Sequence, residues 1–347
     1  MKTKTVKIAL EGFGSYLGME KGCFTVKNRE GQTAKYPLFE NQIDEIRIKS
    51  GNTVSSGALA CCGFWGIDCL FLTQKGRPVA MLRTLDDDSH VKTRICQYEA
   101  FLNNEKSTYI AKQFVLSKLE GQNQVLKKYG LKCYDFSIVE KIKNLEAENN
   151  SQLRTKLMSI EGHYSENYFT QIFGLIPFSP NSRKTFKAYD GTNNLFNLGY
   201  TILSWKVQYA LIKARLEPFL GFLHSVQVGK PSLICDFQEL FRYLTDGFII
   251  EYSRNLNRKD FTVKNEDFSN NKKGKREYLN DVKTHIFVKE LNQYFEKKIV
   301  LPRVRRGQQQ EIETLINEEA LLFAQFLRNE KKEWIPRIVN LQHLNIF

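Results

Sequence analysis

The spacing of apolar residues changes once along this 347-residue chain, and this change constrains the fold more than any other feature. Before about residue 85, short apolar runs such as 6–10, 23–27 and 67–72 alternate with glycine-containing turns, which is the pattern of β-strands. From about residue 91 onward, apolar residues recur at the spacing of amphipathic helices. The chain is therefore predicted to be an α+β multidomain protein, with a small β-sandwich at residues 1–85 and an all-α domain at residues 91–347.

Residues 86–90 are predicted to link the two domains, and they contain three consecutive aspartates, Asp86, Asp87 and Asp88. Neighbouring side chains do not converge on one metal ion, so these acids are expected to be solvated at a helix start, where they suit the helix dipole. The glycines near the N-terminus do not form a phosphate-binding loop, because no Gly-Lys-Ser/Thr follows them. A nucleotide site in the first domain is therefore not expected.

The formal net charge of the chain is +13, and its isoelectric point is near 9.3. This excess of lysine and arginine favours a polyanionic partner, nucleic acid before membrane, because no long basic amphipathic helix or lipidation motif accompanies it. The alternative is a basic surface that serves only solubility.

Seven cysteines are scattered among apolar neighbours, without a CxxC pair or a histidine placed to complete a zinc site. This pattern is typical of buried thiols in a reducing compartment. The first residues lack the apolar core of a signal peptide, and no apolar run approaches the length of a membrane span. A cytoplasmic protein is expected.

One segment, residues 219–242, brings metal-binding residue types together. A helix is predicted to begin at Ser232, a good cap, because the apolar residues that follow repeat at helical spacing. Asp236 and Glu239 are three positions apart, which places their carboxylates on one side of that helix, roughly 5–6 Å apart at Cβ. With the imidazole of His224, these carboxylates predict a site for Mg²⁺ or Mn²⁺. The alternatives are a solvated acidic stripe and a histidine with an ordinary hydrogen-bond partner.

A further candidate ligand, Glu161, lies within residues 153–175, whose apolar period predicts a helix. Glu161 shares a half-apolar stripe with Met158 and Phe169, which is a costly place for a carboxylate without a partner. Gly162 follows it inside the helix, at a cost of about 1 kcal/mol relative to alanine unless a backbone or a ligand approaches closely. Either Glu161 joins the metal site, or it is a rim carboxylate paired with a nearby lysine.

Three stretches, in this order and at these separations, carry a family resemblance: SIEGHYSENYF, NNLFNLGYTIL and GFLHSVQVGKPSLICDFQELFR. They resemble the catalytic subunit of the CRISPR adaptation complex, the CRISPR-associated endonuclease/integrase family that inserts new spacers into the array. The resemblance covers nearly the whole chain and is most specific in its second half. It departs from the family pattern at residues 197–200, which read Asn-Leu-Gly-Tyr, so the role of Asn197 stays open.

The resemblance implies that the catalytic and metal-binding residues are Glu161, His224, Asp236 and Glu239. Glu161 and His224 match the family's metal-binding glutamate and histidine, and the other two match its acidic pair, within a Ser-Leu-x-x-Asp-x-x-Glu-x-x-Arg pattern at residues 232–242. The implied cofactor is Mg²⁺ or Mn²⁺, and a histidine ligand suits Mn²⁺ as well as Mg²⁺. Whether Asp236 or Glu239 lies closer to the metal is left open.

The implied reaction is a transesterification in which the 3′-hydroxyl of a prespacer attacks the repeat backbone or, in reverse, the cleavage of branched DNA. The implied partners are double-stranded and branched DNA, a second copy of the chain in a homodimer to which the β-sandwich contributes, and a small ferredoxin-like CRISPR-associated subunit; no membrane partner is expected. The alternatives are a transposon-encoded integrase relative and a non-catalytic DNA-binding scaffold. A phosphohydrolase acting on small molecules fits the basic composition poorly.

Basic residues near the acidic helix are candidate DNA contacts. Lys230 and Arg242 bracket that helix, whereas Arg303, Arg305 and Arg306 lie in a later basic stretch. Beside a site that acts on phosphodiesters, these cations would contact phosphates and make DNA binding salt-dependent. The alternative for each of them is an ordinary solvated charge.

Overall fold

The computed structural model describes residues 4–85, 89–185, 188–267, 273–300 and 309–344. The chain divides into two compact units, Met1–Asp88 and Ser89–Phe347. The first unit is rich in β-strands and the second is mainly helical, so the predicted mixed α+β architecture is confirmed. The predicted linker aspartates, Asp86 to Asp88, lie outside the described residues.

The N-terminal unit contains eight described strands and one helix. These are β1 (Lys4–Leu10), β2 (Tyr16–Glu20), β3 (Cys23–Lys27), β4 (Thr33–Pro37), β5 (Asn41–Lys49), β6 (Thr53–Val54), α1 (Ser56–Phe64), β7 (Asp68–Leu72) and β8 (Pro78–Leu82). One sheet has the order β1–β5–β7–β8, with its first three strands parallel and β8 antiparallel to β7. The other has the order β4–β3–β2–β6, and the short β6 runs parallel to β2.

Side chains from both sheets and from α1 form one buried cluster, which includes Ile8, Ile46, Leu17, Phe24 and Cys62. Alternate residues of the strands enter this cluster, as the period of a half-buried strand requires. The turn between β2 and β3 has positive φ at both of its residues, 47° at Lys21 and 76° at Gly22, which is the geometry of a tight hairpin turn. The aligned packing of the two sheets as a sandwich stays a prediction.

The second unit contains nine described α-helices. They are α2 (Ser89–Leu102), α3 (Asn104–Lys128), α4 (Ser137–Lys143), α5 (Asn150–Phe173), α6 (Gly191–Lys213), α7 (Ser232–Glu239), α8 (Arg242–Ser253), α9 (Asp281–Glu296) and α10 (Ile312–Leu327). Polar residues cap several of them; for example, the side chain of Asn103 accepts a hydrogen bond from the N–H of Lys106, and that of Asp190 accepts one from the N–H of Asn193. None of the described helices is both long and apolar enough to cross a membrane.

The prediction of an all-α second domain is wrong in two places. The described residues include two antiparallel strand pairs, β9 (Phe261–Asp267) with β10 (Lys273–Leu279) and β11 (Lys298–Val300) with β12 (Gln309–Glu311). These segments are too polar to bury one face of a helix, and pairing two strands satisfies their backbone groups instead.

Helix α7 departs most from its predicted form. The sequence predicts one apolar face with the acids on the other side, but seven of its eight residues are buried, including Asp236 and Glu239. The helix also begins without a side-chain cap, because the hydroxyl of Ser232 donates to the carbonyl of Ser225 instead. Aromatic rings of Phe114, Phe323 and Trp334 pack around Phe237 in the middle of α7. The acidic helix is therefore an internal element, and each of its carboxylates needs a partner.

Candidate metal centre

The four predicted site residues lie on three elements of the helical unit. Glu161 is in the middle of α5, Asp236 and Glu239 are on α7, and His224 is in the connection between α6 and α7. His224 and Glu161 are partly buried, whereas both acids of α7 are buried. The fold separates the two acids into different environments although they are only three positions apart.

Asp236 binds the chain segment that carries His224. Its Oδ2 accepts the N–H groups of Phe222 and Leu223 at 2.6 and 2.9 Å. Its Oδ1 accepts the N–H of His224 at 2.9 Å and lies 2.6 Å from Nδ1 of the same residue. Gly221 makes this wrapping possible, because a Cβ there would lie 2.7 Å from Ser232 and 2.8 Å from Asp236 Oδ2.

The contacts of Asp236 define which atom of His224 is available. A ring nitrogen 2.6 Å from a carboxylate fits Nδ1 as the donor, which leaves the lone pair of Nε2 free to bind a metal. Both Asp236 oxygens are already occupied by backbone and imidazole groups. Asp236 therefore holds both the backbone of residues 222–224 and the His224 imidazole in place.

Glu161 and Glu239 meet through a lysine of α3. The Lys118 ammonium contacts Glu161 Oε1 and lies 2.6 Å from Glu239 Oε2, and Arg242 Nη1 lies 2.9 Å from Glu239 Oε1. Ser165 also donates to Glu161 Oε1 at 2.6 Å. A lysine partner for Glu161 is one of the two interpretations that the sequence left open, and here it brings Glu161 to an acid of α7.

Electrostatics keep Glu239 ionised in this buried position. Burial alone raises the pKa of Glu239, but the charges of Arg242 and Lys118 outweigh that effect and hold the pKa below its ordinary value. Glu161 and Glu239 therefore meet at one ammonium, and His224 is held by Asp236, which lies on the same helix as Glu239.

A third buried acid, Asp246, is linked to the site through Tyr200 and has no clear signal in the sequence. Asp246 on α8 accepts the hydroxyl of Tyr200 at 2.5 Å and that of Tyr168 at 2.8 Å. Burial raises the pKa of Asp246 to about 6, although both hydrogen bonds oppose this shift. The Arg242 guanidinium lies 4.6 Å from the centre of the Tyr200 ring, so it is held between that ring and Glu239.

The structure gives Asn197 a local role. Its Oδ1 accepts Arg183 Nη2 at 2.7 Å, and its Nδ2 donates to the carbonyl of Thr185 at 3.2 Å, so it fastens the segment before α6 to that helix. Gly199 allows α6 to approach α8, because a Cβ there would lie 2.9 Å from the side chains of Thr245 and Ile249. Neither residue reaches the carboxylates by any described contact.

The predicted DNA-contacting residues divide into three cases. Arg242 is committed to Glu239 and Tyr200, and its side chain is 24% exposed. Lys230 lies in the turn before α7, where its N–H donates to the carbonyl of Gln227 and its side chain is partly exposed. Arg303, Arg305 and Arg306 lie outside the described residues.

The residues at this site fit a divalent cation in their chemistry. Two carboxylates and one imidazole nitrogen form a donor set suited to Mg²⁺ or Mn²⁺. The buried Glu239 Oε2 lies 2.6 Å from the Lys118 ammonium, so a cation already stands beside this oxygen. In the described ranges, no three side chains of metal-binding type stand close enough to enclose an ion, and the Lys118 ammonium contacts both glutamates.

Comparison with known proteins gives one consistent family. The family model described as CRISPR associated protein Cas1 matches residues 8–284. The CRISPR-associated endonuclease Cas1 3 of Thermus thermophilus is 31% identical over 261 residues, which cover 73% of this chain and 74% of the relative.

Solved structures show the same fold at lower identity. A chain of a partial Cas6-RT-Cas1–Cas2 complex superposes with a TM-score of 0.71 at 18% identity, covering 99% of this chain and 100% of that chain. A casposase bound to integration product superposes with a TM-score of 0.66 at 19% identity, covering 99% and 95%.

Proposed function

This chain belongs to the family of the CRISPR-associated protein Cas1, a family of endonucleases and integrases, and from that premise we propose that it is a metal-dependent DNA integrase of CRISPR spacer acquisition. It would join the 3′-hydroxyl ends of a prespacer to the repeat by transesterification. The observation that supports the proposal most is the contact of Glu161 and Glu239 with one ammonium, together with the attachment of His224 to Asp236 on the helix that carries Glu239.

We assign three metal ligands and one residue that orients them. The ligands are the carboxylates of Glu161 and Glu239 and the Nε2 atom of His224, while Asp236 fixes the imidazole through Nδ1. This assignment makes Glu239, rather than Asp236, the closer ligand of the acidic pair. When bound, the cation polarises a phosphoryl oxygen and offsets the charge that develops during displacement.

The reaction exchanges one phosphodiester bond for another. A new bond forms between the prespacer 3′-oxygen and the repeat phosphorus as the bond to the repeat 3′-oxygen breaks. The proton lost by the attacking hydroxyl is balanced by one gained at the leaving oxygen, so no external energy source is needed. The protein would position the reacting groups with side chains that are fixed before DNA binds. Asp236 holds His224 in place, and the Tyr200 ring holds Arg242.

The proposed partners follow from charge and from the relatives. A net charge of +13 favours DNA, and the salt dependence of binding would report its phosphate contacts. We propose double-stranded and branched DNA as substrates, with Lys230 and the basic residues Arg303, Arg305 and Arg306 as phosphate contacts. A homodimer that works with a small ferredoxin-like subunit is proposed because a structural neighbour is part of a Cas1–Cas2 complex.

A transposon-encoded integrase is the second candidate, and the casposase of the same fold is the observation in its favour. That likeness, at 19% identity, shows the fold alone. Eight curated relatives named as CRISPR-associated endonucleases are 26–31% identical, and they favour the CRISPR assignment. A non-catalytic scaffold is disfavoured because all the proposed ligands are present.

The test is strand transfer of a labelled 3′-hydroxyl duplex into a repeat-containing plasmid, with Mn²⁺, Mg²⁺ or EDTA and with the small partner subunit present. We expect joined product that requires metal and disappears in Glu161→Ala and His224→Ala. Glu166→Ala and His163→Ala are matched controls, because both residues are exposed on α5 and should leave joining unchanged. Joining that survives both site substitutions contradicts the proposal, and DNA binding without joining under any condition supports the scaffold.

A further inference from the structure

Lys118 connects two carboxylates that come from different helices. Its ammonium contacts Glu161 on α5 and is 2.6 Å from Glu239 Oε2 on α7. The Lys118 side chain is only 8% exposed, so its charge is shielded from water and depends on these two acids. The contact to Glu239 Oε2 is a close ion pair, so one ammonium serves both acids.

We propose that Lys118 is a built-in cation that holds Glu161 and Glu239 together until a divalent cation takes its place. Metal binding is then an exchange of one cation for another rather than a simple addition. This inference rests on the proposed function in one respect, because it takes the two glutamates as metal ligands.

The charges at the site favour exchange over coexistence. Two carboxylates, Glu161 and Glu239, already face two cations, Lys118 and Arg242, so their charges balance. A divalent cation added without loss of the ammonium would leave two uncompensated positive charges in a region with little water. The cation that leaves is therefore expected to be the one with fewer other contacts.

Mobility distinguishes the two cations. Arg242 is planar and is held by Glu239 on one side and by the Tyr200 ring, 4.6 Å away, on the other. Lys118 is a point charge on a flexible four-carbon stem, and it can withdraw along its own length without moving α3. Described contacts fix α3 against α5 independently of the ammonium, since Gln122 Nε2 donates to Ser165 Oγ at 3.2 Å. Glu161 would keep its hydrogen bond from Ser165 during the exchange.

The experiment measures Mn²⁺ binding by the purified full chain without DNA, using the electron paramagnetic resonance signal of free Mn²⁺. We expect Lys118→Met to bind Mn²⁺ at least about tenfold more tightly than the wild type, because the competing charge is gone. Lys118→Arg keeps a cation and should bind no more tightly than the wild type. In EDTA, Lys118→Met should melt at a lower temperature than the wild type, and Mn²⁺ should reverse this loss.

The matched control is Lys206→Met. Lys206 is a similarly buried lysine, 11% exposed and 2.8 Å from Glu313 Oε2, in a pair that includes none of the proposed ligands. Its loss should lower the melting temperature with or without Mn²⁺ and leave Mn²⁺ affinity unchanged. A general effect of deleting a buried ammonium would change both variants alike and would overturn the exchange.

The outcomes separate this inference from the proposed function. If the wild type binds Mn²⁺ and Glu161→Ala abolishes binding, the proposed metal site is supported. In that case, equal or weaker Mn²⁺ binding by Lys118→Met than by the wild type would contradict the exchange but not the metal site. If the wild type shows no Mn²⁺ binding that depends on Glu161, the proposed metal site itself fails. Should Lys118→Met not fold, Lys118→Gln provides a neutral side chain of similar length for the same comparison.

Discussion

Two buried groups of charged side chains in the helical unit are built in different ways. At Glu319, which is fully buried, one oxygen accepts Trp334 Nε1 at 2.7 Å and the other accepts Arg337 Nε at 2.9 Å. At the candidate metal centre, by contrast, Glu161 and Glu239 share the single ammonium of Lys118, and Arg242 pairs with the other oxygen of Glu239.

The difference shows how the same residue types serve stability in one place and binding in another. A carboxylate whose two oxygens are both satisfied has nothing to gain from a ligand, and losing one partner is costly. A pair of carboxylates that shares one flexible ammonium can exchange that ammonium for another cation. The comparison therefore predicts opposite responses to similar substitutions, and the four predictions below run from the largest expected effect to the smallest.

Glu161→Gln should affect activity far more than stability. The variant keeps the shape of the side chain but loses a charged ligand, so strand joining should fall about 1000-fold, equivalent to ~4 kcal/mol. Its free energy of unfolding in EDTA should change by less than about 1 kcal/mol, because Glu239 stays available to Lys118. Urea unfolding and joining assays on the same preparation compare the loss of stability with the loss of activity. A large loss of stability with unchanged joining would show that Glu161 stabilises the fold and does not take part in the reaction.

Glu319→Gln should show the reverse pattern. It leaves the buried guanidinium of Arg337, 6% exposed, without its carboxylate, and unfolding should become easier by about 3 kcal/mol or more. The joining rate per folded molecule should equal that of the wild type. Urea unfolding gives the first quantity, and joining normalised to the folded fraction gives the second. A variant as stable as the wild type would remove the contrast between the two groups.

Asp246 extends the comparison to pH, because burial raises its pKa to about 6 from an ordinary value near 3.8. A folded-state pKa above the unfolded one means that the protonated acid stabilises the fold. That contribution is complete only below the unfolded pKa and is lost as the pH rises through 6. The unfolding free energy of the wild type relative to Asp246→Asn should therefore fall by about 2 kcal/mol between pH 4 and pH 7.5. A difference that does not vary with pH would contradict the assignment.

Asp236→Asn should have the smallest of the four effects. The amide would turn an N–H group toward the backbone donors of residues 222–224, which loosens His224 without removing it. Joining and Mn²⁺ affinity should each fall about 10- to 100-fold, as for other groups that orient a metal-binding histidine. Normalising to the folded fraction, measured by circular dichroism, controls for lost stability. A complete loss of Mn²⁺ binding in folded protein would instead make Asp236 a ligand.

Much of the fold and part of the site are predictable from the sequence, and the failures have physical reasons. The half-apolar stripe of Glu161 correctly indicates that this carboxylate needs a partner. The partner, Lys118, lies 43 residues away on α3, and nothing local marks it. The sequence does not predict the two antiparallel strand pairs of the helical unit, for a related reason. Pairing between strands depends on tertiary contacts, and the weak apolar periodicity of these polar segments does not reveal it.

Asp236 and Glu239 show the limit most clearly. Their spacing predicts two equivalent carboxylates on one helix face, but the fold wraps residues 222–224 around one of them and presents the other to α3 and α5. Which acid is wrapped depends on Gly221, whose missing Cβ permits the close approach. Spacing along a helix identifies the chemistry that is present, whereas the surrounding chain decides what each group does.

The hydrogen bonds between Asp236 and residues 222–224 also have a consequence for the order in which the protein folds. They join groups only 12 to 14 positions apart in the chain, whereas the contact between Lys118 and Glu161 joins residues that are 43 positions apart. Closing a short loop costs less entropy than closing a long one, and local contacts form quickly. The part of the site that contains His224 is thus a local unit of the chain, and we expect it to form before α3 and α5 pack together and bring Glu161 into place.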